Sequence, residues 1–420
     1  MRLKVYDHLL TSYFSWLVVL YPILTMYSIF HVKLEYIAIM MGVLMLCVKG
    51  YKESLQFPAE KSVILFFGYM IIIPSLIFKL IINSEGTFFQ TGTILFLLVL
   101  TLITITADLK LLWRYYFIIF WIALVIFTLQ EISWYTIGRR FSALIPGLDF
   151  SFYGEGGGAD MAEFQKTTNR SCSIFMEPAV FAKFLIPAVI YNLKYTGKSY
   201  IRLLGLICIF LLLRSGVGFI LLAVCLCVYI CNLPIKRKSM KGFAFAAIIG
   251  LSIVSAIALS TTEYGKVQLA RMDEVDTEND SSSGFLRVIR GYLLYDGMNT
   301  LEKIVGIGSK NIGCAIHSSP YVYMFDGVED VYLNGIQALL VGGGVIGVIL
   351  FIFMIRDIGN RRSIISIGIL SCLLVSFFVA AEYLSATMLL FLSIAILEKK
   401  HTKKSVHIHN NGLQNSSRFS

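Results

Sequence analysis

Long apolar runs separated by short polar stretches repeat along almost the whole chain. A helix rising 1.5 Å per residue needs about 17–20 such residues to cross a ~30 Å hydrocarbon layer. The pattern predicts twelve spans, near residues 11–30, 34–48, 62–82, 88–106, 115–131, 172–192, 200–213, 216–232, 242–260, 331–354, 363–381 and 384–397. The seventh and twelfth are short enough to form a re-entrant pair instead. Membrane β-barrels are excluded, because their strands would read as ~10-residue segments of alternating polarity.

Two long polar segments interrupt the series, residues 132–171 and 261–330, and residues 398–420 form a polar tail. The first holds Tyr153-Gly-Glu-Gly-Gly-Gly-Ala159, which has no helical period. The second opens acidic and Ser-rich from Asp273 to Ser283, then becomes apolar-periodic from Phe285 to Leu301, predicting an amphipathic helix. No internal repeat and no cleavable signal peptide are evident, so residues 1–420 read as one integral membrane domain.

Composition agrees: of 420 residues, 57% are hydrophobic and 15% charged, against about a quarter charged in soluble domains. The formal charge of +10 reads as topology, not as nucleic-acid binding. With a cytoplasmic N-terminus, one set of short connections carries Lys49, Lys52, Lys61, Lys194, Lys198, Arg202, the cluster Lys236 to Lys241, Arg356, Arg361 and Arg362, and the tail adds Lys399 to Lys404. The opposite set holds Lys33, Lys79 and Arg214. The positive-inside rule then makes both termini cytoplasmic and turns both long loops outward. Of eight cysteines, only Cys172 and Cys314 fall at or in the long loops, where a disulfide would need an oxidising space. No Cys or His group has zinc-ligand spacing, and no metal or cofactor is expected.

The candidate chemistry lies at the outward ends. Arg170 and Glu177 are seven residues apart, close to two helical turns, and share a face if the sixth helix has begun at Arg170. Pro178 would then free a carbonyl near Ile174, giving an anion clamp beside a carboxylate. A snorkelling Arg with a helix-kinking Glu-Pro accounts for the same residues. Arg214 interrupts an apolar stretch, as a charged turn or as a guanidinium at the outer rim. Arg287 and Arg290 lie three apart on one helix face. Arginine suits phosphate, since its planar fork bonds two oxygens and stays charged; a basic face on anionic headgroups is the alternative. His317 and Asp330 close the second loop and are candidate general bases. The glycines from Gly342 to Gly344 lie in a span and suit close helix packing.

These pieces resemble the Wzy polymerases within the O-antigen ligase and polymerase superfamily. Arg170 to Ala182 is similar to the family's Arg-x-x-Ser-x-Phe-x-Glu-Pro-x-x-Phe-Ala pattern. Leu213-Arg-Ser-Gly216 resembles its Ser-Arg-Ser/Thr-Gly element, with Leu in place of the first Ser. Gly306-Ile-Gly308 resembles its Gly-x-Gly, and Asp330-Val-Tyr-Leu333 through Gly344-Val-Ile-Gly347 resembles its Asn-x-Tyr-Leu and Gly-x-x-Gly segment. Arg140 with Gly156, and Arg290 with Gly306, show the sixteen-residue Arg-to-Gly spacing seen in both loops of some members. Ligase members, and many polymerases, carry His-Asn before the Tyr-Leu; Glu329 and Asp330 stand there in this chain, which argues against a ligase-type histidine base and favours a polymerase.

The resemblance implies a GT-C-like, all-α polytopic membrane fold. It implies a glycosyltransferase of the cytoplasmic (inner) membrane that joins undecaprenyl-diphosphate-linked oligosaccharide repeat units into O-antigen or capsular polysaccharide. Arg140, Arg170, Arg214, Arg287 and Arg290 would bind the diphosphate, and Glu177, Asp330 or His317 would assist the acceptor hydroxyl. The partners implied are that lipid-linked oligosaccharide, membrane lipid and a chain-length-regulating copolymerase. The rival readings are an O-antigen ligase and a lipid-linked oligosaccharide flippase or other transporter.

Overall fold

In the computed structural model, the described residues are 2–49, 60–82, 85–145, 148–150, 163, 165–166, 170–195, 200–232, 289–320 and 333–416. They are mostly helical. Their α-helices are α1 (Arg2–Leu24), α2 (Leu34–Lys49), α3 (Lys61–Ile77), α4 (Thr91–Thr106), α5 (Leu109–Ile137), α6 (Pro178–Tyr195), α7 (Tyr200–Leu213), α8 (Gly216–Asn232), α9 (Arg290–Asp296), α10 (Thr300–Val305), α11 (Ile312–Ser318), α12 (Gly335–Ile358), α13 (Ile364–Val379) and α14 (Ala386–Ser416). Three helical stretches are long and apolar enough to cross a membrane: Lys61–Ile82, Leu109–Ile137 and Gly335–Ile358. Shorter apolar helices accompany them, an arrangement compatible with a membrane protein. The predicted span 242–260 lies outside the described residues, as do Arg287, Asp330 and Gly156.

Several predicted elements change. The first span, 11–30, ends at Leu24, and the next residues form a hairpin of β1 (Tyr27–Ile29) and β2 (Val32–Lys33). Its two-residue turn is Phe30-His31, with φ of 49° and 63°; two left-handed centres are what a type I′ turn requires. β1 also pairs antiparallel with β3 (Asp149–Phe150), which lashes the first long loop to the α1–α2 connection. The fifth span grows at both ends, because Asp108 caps it by accepting from Lys110 N and Leu111 N, and Gly138 at φ 75° stops it. The loop predicted from residue 132 therefore starts at 138. From residue 289 on, the helix expected over Phe285 to Leu301 is two short helices, α9 and α10, with Asn299 capping the second. The tail from 398 continues α14 as helix to Ser416.

The Gly-rich run in α12 does more than permit close packing. Gly344 (φ 62°) breaks the helix, and the chain after α10 threads against the break. Ile307 N donates to Val341 O at 3.1 Å and Gly308 N to Gly342 O at 2.8 Å. A Cβ on Gly306 would lie 2.5 Å from Gly342 O, and one on Gly344 would lie 2.4 Å from Ile304 O. Tyr69 donates to Val305 O at 2.7 Å and anchors the same segment to α3. Irregular backbone at depth is tolerated where protein buries it and supplies its partners.

Buried charge also organises the bundle. Lys183, on α6, pairs with Glu382 in the α13–α14 turn, and both are buried. Glu382 Oε2 accepts from Ser385 Oγ at 2.6 Å. Two residues before Glu382, Ala380 O accepts from Gly335 N, which ties the turn to the start of α12. At the other end of these helices, Glu398 of α14 accepts from Lys194 at 2.9 Å and from Ser363 at 2.7 Å.

Removing one member of a buried pair strands the other charge, at about 3–5 kcal/mol. Lys183→Met is therefore expected to lower stability by about that much, measured as loss of folded protein on heating in detergent. Lys183→Met with Glu382→Met should recover most of the loss; a double variant as unstable as the single would rule out the pair as the cause.

Candidate functional site

The C-terminal turns of α5 present Glu131, Trp134 and Tyr135 on neighbouring positions of one helix. The chain reverses at Gly138 and brings Arg140 back over them. Arg140 Nη2 donates to Glu131 Oε1 at 3.0 Å, Nε donates to Ser171 Oγ at 2.7 Å, and the guanidinium lies 4.2 Å from the Trp134 ring. Ser171 also donates to the same Glu131 oxygen. Arg140, Ser171 and Glu131 are all buried. Glu131 Oε2 is buried with no hydrogen-bond donor. Leaving a buried acceptor unmatched costs about 1–3 kcal/mol, and more when it is charged.

Arg214 joins this corner from the α7–α8 connection. It sits in the left-handed region at φ 54°, uncommon for a side chain of its size, is buried, and donates from Nη2 to Tyr135 Oη at 3.1 Å. Burial lowers the Arg140 pKa, the Glu131 carboxylate opposes that, and the Arg214 charge adds to the lowering. Two guanidiniums thus repel each other across one helix end. The following residues explain the local sequence: Ser215 Oγ accepts from Gly218 N at 3.3 Å at the start of α8. A Cβ on Gly218 would lie 2.9 Å from the Ala182 Cβ.

The segment from Arg170 to Glu177 does not continue α6, contrary to the two-turn reading. It is a turn-rich strap with Ser173 at φ 57°. Gln130 pins it by accepting from Ser173 N at 2.9 Å, and Ser173 Oγ donates to Ala123 O at 2.5 Å. α6 begins at Pro178, where the missing N–H and fixed φ suit the first helical position. Pro178 therefore starts the helix instead of kinking it. Glu177 O accepts from Val180 N and Phe181 N, both at 3.1 Å. Its side chain is exposed at the helix N-terminus, where the dipole favours a carboxylate, and is not a group inside the span. Phe175 stacks on Phe181 with centroids 5.4 Å apart, clasping the strap to the first turns of α6. Burial pushes the Cys172 thiol up to about 12, with Arg140 opposing and Glu177 reinforcing the rise. Cys172 and Cys314 are both free thiols.

Arg140, Arg170 and Arg214, with Glu177, thus share the α5–strap–α8 corner. Arg290 is held elsewhere, at the first residue of α9, buried, with the adjacent Gly291 tight against Gln337 of the α12 cap. His317 is exposed in the last turn of α11. The Lys183–Glu382 pair links the two regions through α6, the α13–α14 turn and the start of α12. Among the described residues no group of three or more His, Cys, Asp or Glu is placed to hold a metal ion. Glu131, Tyr135, Ser171, Lys183 and Glu382 were not singled out from sequence, although a lone Lys in an apolar run is itself a signal. In comparisons with known proteins, no family model and no curated protein matches the chain.

Arg140→Lys keeps the charge but loses the two-point bonding to Glu131 and Ser171 and the planar stack on Trp134. It is expected to loosen the strap, measured as faster proteolysis between residues 140 and 178 than in the wild type. An unchanged cleavage rate would refute the bonding role of the guanidinium.

Proposed function

We propose that the protein is a membrane glycosyltransferase that polymerises polysaccharide repeat units carried on undecaprenyl diphosphate. In this reading the chain crosses the cytoplasmic membrane twelve times, both termini are cytoplasmic, and the arginine corner faces outward. The observation that carries the reading is the concentration of positive charge at one helix end. Arg140 and Arg214 are buried and repel each other, and Arg170 precedes Ser171, a ligand of the same network. An incoming diphosphate relieves that repulsion, and guanidiniums bind its oxygens two at a time. The order of sequence elements resembling the Wzy family supports the same substrate class.

The chemistry follows from the charge. The acceptor hydroxyl oxygen attacks the anomeric carbon of the donor chain, the bond to diphosphate breaks, and the leaving diphosphate takes the electron pair. Preset cations stabilise that developing charge without reorganising during reaction. Arg214 and Arg170 serve as the diphosphate contacts, while Arg140, bonded to Glu131, sets the local potential. Glu177 is the exposed carboxylate at the same corner and takes the acceptor proton; Arg290, at the second region, serves the other lipid-linked substrate. Holding both carriers together makes the transfer effectively intramolecular.

Deletion of the gene is expected to leave surface lipopolysaccharide capped with a single repeat unit, and Arg214→Ala should abolish long chains at normal protein level. Loss of the single-unit band on the gel would point to a flippase or ligase and refute the polymerase; a normal ladder from Arg214→Ala would refute the arginine role.

A further inference from the structure

A cavity of about 270 Å³ lies where the end of the Lys61–Ile82 stretch meets α9, α10 and α11. That is just under the ~300–1,000 Å³ of clefts for drug-sized ligands, room for one ring-sized group. Phe78, Leu294, Met298 and Ala315 line it and belong to one buried apolar cluster that continues to Val341 at the α12 break. Asn299 and Glu302, the capping box of α10, also line it. Asn299 Oδ1 accepts from Glu302 N at 3.0 Å, and Glu302 Oε2 accepts from Asn299 N at 2.8 Å. Each side chain is thereby fixed through one atom and keeps another to offer: Asn299 Nδ2, a donor, and Glu302 Oε1, an acceptor. Among the described residues neither atom has a hydrogen-bond partner. Asn299 is exposed and Glu302 half-buried, so a ligand in the cavity can reach both.

The chemistry of the lining selects the occupant. No lysine or arginine lines the cavity, and Glu302 brings a carboxylate. A phosphate or carboxylate group would therefore find no counter-charge there and would meet repulsion. A wholly apolar occupant would cut both atoms off from water and give them nothing in return. An ammonium would satisfy Oε1 but set a donor against the Nδ2 donor. A hydroxyl both donates and accepts, and two neighbouring hydroxyls of a pyranose meet the pair together, with the ring's C–H face on the apolar floor. We propose that this cavity is a subsite for one uncharged pyranose of the repeat unit and that it discriminates against uronic acids. Arg290 stands one helical turn before Leu294 on α9, which places the subsite next to the arginine assigned to the second lipid-linked substrate. The subsite rests on the proposed function for the source of its sugar, and adds which sugars the second region admits.

Saturation-transfer NMR on the purified full-length protein, in a detergent without a sugar headgroup, tests it with methyl glucoside and methyl galactoside against their uronic acid counterparts. At least one neutral glycoside is expected to bind about tenfold more tightly than its uronic acid, a like-charge penalty of about 1.4 kcal/mol. Asn299→Asp keeps the oxygen that caps Glu302 N but replaces the donor with a second carboxylate oxygen, and should weaken the neutral glycoside about tenfold. Glu302→Gln keeps the capping box, in which Gln serves as well as Glu, and places an N–H where Oε1 stood. The uronic acid should then bind at least as tightly as its neutral counterpart. Each variant decides by itself, which covers the failure of either one to fold. Equal binding of neutral and acidic glycosides to the wild type, or no binding of any of them, would overturn the subsite. So would unchanged discrimination in Glu302→Gln. A polymer ladder made without this binding would overturn the subsite and spare the polymerase; binding without any ladder would refute the polymerase and support the subsite.

Discussion

An apolar interior has no water to serve polar groups, so each buried donor, acceptor and charge must find its partner within the chain. The break in α12 is the clearest consequence. Gly344 interrupts the helix, and the carbonyls of Val341 and Gly342 accept from Ile307 and Gly308 instead. A segment of the second long loop thereby becomes part of the bundle and not a cover over it. The same constraint pairs Lys183 with Glu382 and Arg140 with Glu131, and each pair fastens a connecting segment to a helix.

Where like charges are buried side by side, function is the natural reading. The α5 end brings two buried guanidiniums together, and Glu131 bonds Arg140. A purely structural site would gain from replacing such groups with apolar ones. Retaining them is consistent with an anionic ligand, and the proposed diphosphate chemistry uses that stored repulsion as binding energy. The strap from Arg170 to Glu177 connects these ideas: its serines bind α5, its Phe175 clasps α6, and its Glu177-Pro178 starts α6.

Much of this was legible in the amino-acid order. The helices at 200–213 and 216–232 fall where apolar runs predict them, because Arg214 marks the break between them. Gly306 and Gly308 stood out as a pair, and both have positive φ. What was not legible depended on three-dimensional partners. Phe30-His31 carries no turn signature, since the hairpin it closes is held by β3 more than a hundred residues away. Glu177-Pro178 reads from sequence as a kink within a helix, whereas the strap pinned through Ser173 and Gln130 leaves Pro178 as the helix start. Glu131 and Lys183 were hidden within helical runs, since hydropathy averages a single charge away. Their meaning came from Arg140 and Glu382, distant in sequence or placed by a turn.

The central claim is that the chain transfers a saccharide from one lipid diphosphate to another at the arginine corner. The most direct measurement supplies the purified protein with a lipid-diphosphate-linked repeat unit, without any nucleotide sugar, and follows products on a gel. The account predicts a ladder of lengthening chains with one undecaprenyl diphosphate released per bond formed, lost in the Arg214→Ala variant. Substrate recovered unchanged from the purified protein, or a ladder undiminished in that variant, would contradict it.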